Sequence, residues 1–170
     1  MEQSLIKMIR KWTRKPDEML LARIQERLSQ GGKRLLTNPR NIAEHAFLTW
    51  DGIDEQEQLH VLSFDHIGGL ISDTMLSKGA IDSSEVNVRD VCRRVLLDNA
   101  SYAVVAHNHP TSDVSISRAD RTCCRVLEKA LGTVGIQMMD FIIVGGKVNA
   151  RGDICYYSAE ETSRKKEAEV

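Results

Sequence analysis

Hydrophobic positions along the chain change period several times, and each change marks an element. Residues 3–14 and 17–29 carry helical spacing interrupted at Pro16, with Leu20, Leu21, Ile24 and Leu28 as the stripe of the second segment and Gly31-Gly32 ending it. A third helix is predicted from Asn38-Pro39, where proline suits the first turn, through Ile42, Ala43, Ala46 and Phe47 to a stop at Asp51-Gly52. The period then shortens. Gln58–Asp65 and Leu70–Ser77 read as two strands of a hairpin turning at Gly68-Gly69. Val88–Asn99 returns to helical spacing with Val88, Val91, Cys92, Val95 and Leu96 on one side. Tyr102–Ala106 is an apolar run of the kind a strand buried on both faces requires. A further amphipathic helix is predicted from Arg118 to Val134, its inner stripe Ala119, Cys123, Val126, Leu127, Ala130 and Val134. Phe141–Val144 is a second buried strand, ended by Gly145-Gly146, and Ile154–Tyr157 a last one. The charged stretch from Glu160 to Val170 is expected to fray.

This order predicts one mixed α/β domain over residues 36–158, preceded by a short helical extension (1–35) and followed by a charged, disordered tail (159–170). A chain of 170 residues that is 42% hydrophobic can bury one core, not two. No apolar run approaches the roughly 20 residues that span a bilayer, and the N-terminus lacks a signal-peptide pattern. A soluble cytoplasmic protein, with no membrane partner, is the expectation. Cys92, Cys123, Cys124 and Cys155 form neither a C-x-x-C pair nor a disulfide framework, which fits a reducing compartment and helix packing. The net charge of −1 hides an asymmetry: residues 1–40 carry +6 and the remainder −7. The basic segment permits an acidic partner, DNA included, although a solvated helical face is the preferred reading.

Candidate chemistry concentrates in Ala106-HNHPTSDVSISRA-Asp120. Side chains two apart on a strand point the same way, so His107 and His109 share a face at the end of the buried run. A polar loop, Thr111–Ile116, leads to Ser117 and then Asp120 in the first turn of the next helix, where the carboxylate can turn back toward the strand end. Two neutral histidines and a carboxylate are a known catalytic zinc set that leaves a fourth position for water. Ser-x-x-Asp before an apolar run is also a helix capping box, and the two roles are compatible. A deaminase zinc site fails, because it requires His-x-Glu and a later Pro-Cys-x-x-Cys.

The spacing His107-x-His109, seven residues, Ser117, two residues, Asp120 resembles the JAMM (MPN+) metalloprotease motif. Around it, "LLDNASYAVVAHNHPTSDVSISRAD", "GIQMMDFIIVGG" and "EQLHVLSFD" are similar to the RadC branch of that superfamily, from about Leu36 to Tyr157. The resemblance implies a cytidine-deaminase-like JAB/MPN fold, a mixed sheet flanked by helices, with one zinc ion held by His107, His109 and Asp120. It further implies Glu57 as general base and Ser117 as an oxyanion donor, in a peptidase or isopeptidase acting on an unidentified protein substrate. The family's traditional association with DNA repair supplies the alternative, a DNA-associated accessory protein with a structural or vestigial metal site. Departures are visible: Pro-Thr-Ser-Asp stands where Pro-Ser-Gly-Asp is usual, "EVNVRDV" replaces a Val-His-Pro-Arg-Glu stretch, and the common helix-hairpin-helix region is not evident. Arg118, Arg121, Arg125 and Lys129 lie at helical spacing beside the motif and read as an outer solvated face.

Overall fold

The computed structural model describes residues 36, 38–79 and 87–168. The two helices expected within residues 3–29, and the basic extension 1–35 to which they belong, lie outside the described residues. Among the described residues, α1 (Pro39–Thr49) precedes the hairpin β1 (Gln58–Phe64) and β2 (Leu70–Lys78). Then come α2 (Val88–Leu97), β3 (Tyr102–His109), α3 (Arg118–Thr133), β4 (Gln137–Val148), β5 (Ile154–Ser158) and α4 (Ala159–Ala168). The five strands form one sheet in the order β2-β1-β3-β4-β5. β3 and β4 run parallel and every other pairing is antiparallel. The fold is mixed α/β, as the hydrophobic pattern predicts.

Both faces of the sheet are covered, which is why β1 is buried along its whole length and β3 at all but its two ends. Leu59, Val61, Ala103, Val105, Phe141 and Ile143 pack with Val91 and Val95 of α2 and Cys123, Leu127 and Leu131 of α3. On the other face Leu62, Phe64, Val104, Ala106, Ile142 and Val144 pack with Ile42, Ala43 and Ala46 of α1 and with Trp50 and Ile53. Alternation along β3 thus sends odd-numbered residues toward α2 and α3 and even-numbered residues toward α1.

Helix ends follow local chemistry. Asn38 caps α1 by accepting the Asn41 N–H, with Pro39 in the first turn. α2 and α3 end alike. Ala100 N donates to Val95 O and Asn99 N to Leu96 O; Ile136 N donates to Leu131 O and Gly135 N to Gly132 O. This is the Schellman arrangement, with Asn99 (φ 51°) and Gly135 (φ 78°) in the left-handed position. Each motif turns the chain directly into the strand that follows.

A buried polar cluster ties α1 to the hairpin. Asp73 on β2 accepts from His45 Nε2 (2.9 Å), Trp50 Nε1 (2.8 Å) and His60 Nδ1 (2.6 Å), and the Trp50 ring stacks on His60 with centroids 3.7 Å apart. Burial by itself pushes the Asp73 carboxyl up. The bonds from His45 and His60, the His60 charge and the Trp50 bond outweigh it and hold the group well below the usual carboxylate range.

Four expectations are corrected. Leu96 is exposed, as are Val126 and Val134, whereas Leu131 is buried. The inner line of α3 is Asp120, Cys123, Leu127 and Leu131, with Ala119, Cys124 and Ala130 half-buried beside it and Val126 and Glu128 exposed. β4 does not stop at Gly145-Gly146 but continues to Val148, with an irregular register against β5 between Val144 and Val148. Residues 159–168, expected to fray within a disordered tail, form α4. Ser158 accepts the Glu161 N–H, while Glu160 and Glu161 in the first turn and Lys165 and Lys166 in the last complement the helix dipole.

Candidate metal centre

β3 brings both histidines to the carboxyl end of the parallel β3–β4 pair, the place where α/β sheets present ligand sites. His107 and His109 lie on the α3 side of the sheet, with ring centroids 5.0 Å apart. His107 is 2% exposed and rests near the Phe141 ring. Neither of its ring nitrogens has a hydrogen-bond partner. Nε2 is 3.2 Å from Asp120 Oδ1, close enough for an ion pair but without hydrogen-bond geometry. A buried polar group left in that state costs about 1–3 kcal/mol, so its persistence calls for a ligand.

The loop after the strand orients the second ring. His109 Nδ1 is 2.9 Å from the Asp113 carbonyl, which can only accept, so Nδ1 carries a proton and Nε2 is the nitrogen left to bind a metal. Metal-binding histidines are fixed by a partner of this kind. Asp113 is itself pinned, because Oδ1 accepts from Ser115 N (2.9 Å) and Ser115 Oγ (2.6 Å). Val114 and Ile116 anchor the loop in the core beneath α3. The polar loop was read from sequence only as a connection, and an Asp-x-Ser turn was the signal available in it.

Asp120 enters from the first turn of α3, and the capping box is complete. Asp120 N donates to Ser117 Oγ (3.0 Å) and Ser117 N to Asp120 Oδ2 (2.8 Å), leaving Oδ1 toward His107. Burial pushes the Asp120 carboxyl up; the His107 contact and the Ser117 bonds outweigh it and hold the group ionised, well below the usual range. One donor atom from each of His107, His109 and Asp120 lies within 4.8 Å of the others. Among the described residues this is the grouping of that kind, and its two nitrogens and one oxygen suit a zinc ion with an open position. Burial, with Asp120 and Cys124 adding, pushes the thiol of Cys123, one turn along α3, up to about 12. Burial, with Glu128 and Asp140 adding, likewise lifts Cys124 to about 11. Both behave as packing groups, and Arg118, Arg121, Arg125 and Lys129 face solvent.

Glu57 immediately precedes β1. The antiparallel register pairs Leu59 with His107, so alternation puts Glu57 on the histidine side of the sheet, at the His109 end. The backbone pairing of β1 with β3 ends at Leu59–His107. Beyond it the Asn108 side chain, wholly buried on the opposite face, takes over. Its Oδ1 accepts from Gln58 N (2.7 Å) and its Nδ2 donates to Ile53 O (2.5 Å) and Gln56 O (2.9 Å). Asn108 was not singled out from sequence, because a residue between two histidines gives no signal of its own. Gly145 and Gly146 seat the two loops. A side chain at 146 would fall on the backbone of Ile53 and Asp54, and one at 145 would lie 3.3 Å from the Thr111 carbonyl.

These features converge on one lineage. Residues 36–163 match the RadC-like JAB domain. The chain belongs to the RadC-like JAB domain family. Relatives include the UPF0758 protein YeeS of Escherichia coli K12, 40% identical over 65% of this chain and 74% of that protein. The UPF0758 protein YfjY of the same organism is 40% identical over 55% of this chain and 58% of its own length. PSHAa2643 of Pseudoalteromonas translucida is 35% identical over 73% of this chain and 54% of its own. The chain therefore spans about three quarters of one relative and little more than half of the others. The matched region runs from α1 through β5 into the first half of α4 and includes His107, His109 and Asp120. No helix among the described residues is long and apolar enough to cross a membrane.

Proposed function

We propose that this RadC-like JAB domain is a zinc-dependent hydrolase that cleaves an amide bond, as a peptidase or isopeptidase. The observation that carries the reading is His107, a buried imidazole with no hydrogen-bond partner on either nitrogen, beside a pinned His109 and an ionised Asp120. His107, His109 and Asp120 would hold the ion. Bound there, zinc supplies the Lewis acidity that makes water an adequate nucleophile near neutral pH. Glu57 accepts the proton of the attacking water on its carboxylate and returns it to the leaving nitrogen, a role typically worth about 10²–10⁴-fold in rate. Ser117 Oγ accepts the Asp120 N–H and still has its own proton to donate to the developing oxyanion.

Metal analysis of purified protein tests the reading. About one zinc per chain is expected, lost in His109→Ala and Asp120→Ala, and wild-type protein that binds no zinc overturns it. Glu57→Gln is expected to keep the metal and lose hydrolysis, and its trapped complexes, identified by mass spectrometry, would name the substrate.

A second reading, a DNA-associated accessory protein, rests on the +6 charge of residues 1–40. DNA binding that weakens with salt and disappears on deleting residues 1–35 supports it. Absence of binding at low salt removes it.

A further inference from the structure

We infer that Asn108 is a positioning residue for Glu57, acting on the base from the opposite face of the sheet. The inference rests on the proposed role of Glu57 and goes beyond it by assigning what holds that residue in place. On the β2 side Glu57 is held through its own carbonyl, which accepts from Gly79 N (2.9 Å), whereas on the β3 side the backbone ladder stops at Leu59–His107. Proton transfer tolerates little displacement of the base, so the β3 side matters as well. Asn108 supplies the restraint there. It bonds the carbonyl immediately before Glu57 (Gln56 O) and the amide immediately after it (Gln58 N), and with its remaining N–H it fixes Ile53 O at the start of the same loop.

The amide is suited to this task by its chemistry. It faces two carbonyls and one N–H, so only one orientation of the group satisfies all three, and every hydrogen it carries is used. Aspartate has no donors and serine has one. The placement is also economical in chain: Asn108 sits between the two histidines, so a single residue step couples the candidate metal ligands to the base. Gly146 gives independent support, because its missing side chain is what lets Ile53 and Asp54 lie against β4. The adjoining Gln58 side chain continues the restraint, donating to Asp51 O at 2.7 Å.

Cobalt(II), a coloured substitute for zinc, provides a readout other than turnover. Wild type is expected to bind cobalt, and Glu57→Gln to bind it with an altered visible spectrum, as the proposed role of Glu57 beside the ion requires. Asn108→Ala is expected to keep cobalt binding and reproduce the Glu57→Gln spectrum, with no further change in the double variant. Val95→Ala, a core change on α2 that touches none of the Asn108 bonds, should leave the spectrum as in wild type. A folded Asn108→Ala protein with the wild-type spectrum, or additive changes in the double variant, overturns the inference while leaving the metal reading intact. Failure of wild type to bind cobalt overturns the metal reading and the inference with it. An unchanged spectrum in Glu57→Gln removes Glu57 from the site and ends the inference there. Should Asn108→Ala fail to fold, Gly146→Ala decides: it displaces Ile53 with Asn108 still present, and a wild-type spectrum in it counts against a positioned loop.

Discussion

Asp73 holds three buried donors on one carboxylate, and its removal strands all three at once. Asp73→Ala is expected to lower stability by about 3 kcal/mol or more, measured by denaturant unfolding, because His45, His60 and Trp50 keep their burial and lose their acceptor. The same residue sets an acid limit. Its pKa is lower folded than unfolded, so its contribution is complete above the ordinary carboxylate range and drains as the pH falls from about 4. Unfolding free energy followed between pH 6 and pH 2 should decline in that window, and the Asp73→Ala variant should show a shallower decline. Nothing in the one-dimensional pattern joins His45, His60 and Asp73, which come from a helix and two strands. His107, His109 and Asp120 were legible because two lie two apart on one strand and the third falls on the next helix's first turn. Asn108 and Asp113 act through an amide and a backbone carbonyl, groups whose partners appear only when the chain is folded.

At the scale of elements, the caps decide where helices begin. Ser158→Ala is expected to cost about 2–3 kcal/mol, because Ser158 Oγ both caps α4 and donates to the buried Asp140 carboxylate (2.6 Å), and to speed amide exchange most over residues 159–163. A change that left exchange in α4 untouched would show that packing, not the cap, holds it. This helix was available in the sequence as Ser158-Ala-Glu-Glu161, with acids early and lysines late, but high charge without an apolar stripe concealed it. Strand positions were more legible than strand ends. Gly145-Gly146 looks like a stop because glycine weakens strands in general. Here the residues stay in β4 because loops need to rest against its bare backbone. The α3 stripe was misplaced for a related reason: valines at 126 and 134 satisfy a loose helical spacing, and only contact with β3 and β4 shows which side is inward.

For the whole molecule, the donor set and the fold are linked thermodynamically. An ion that binds only the folded state adds stability, about 2.7 kcal/mol at a free concentration one hundred times its dissociation constant. Chelation is therefore expected to lower the melting temperature of wild type, and to leave Asp120→Ala unmoved because its metal is already lost. Equal melting temperatures with and without chelator in wild type would speak against an ion at this site. The fold class was readable because two short strands buried on both faces demand helices on either side, and the hairpin and α2 supply the rest. The extension 1–35 has a readable charge, but charge alone assigns no structure to it.

The glycine pair on β4 has a consequence for how this site can diversify. Gly145 carries the loop that follows the histidines, and Gly146 carries the loop that delivers Glu57. Both loops are gauged from adjacent residues of one strand, so each takes its position from the covalent spacing of the peptide chain beneath it. Either loop can then be exchanged for a different length or composition without recalibrating the other. Thr111 and Ser112 lie in the first of these loops, where a change leaves the loop that carries Glu57 in place.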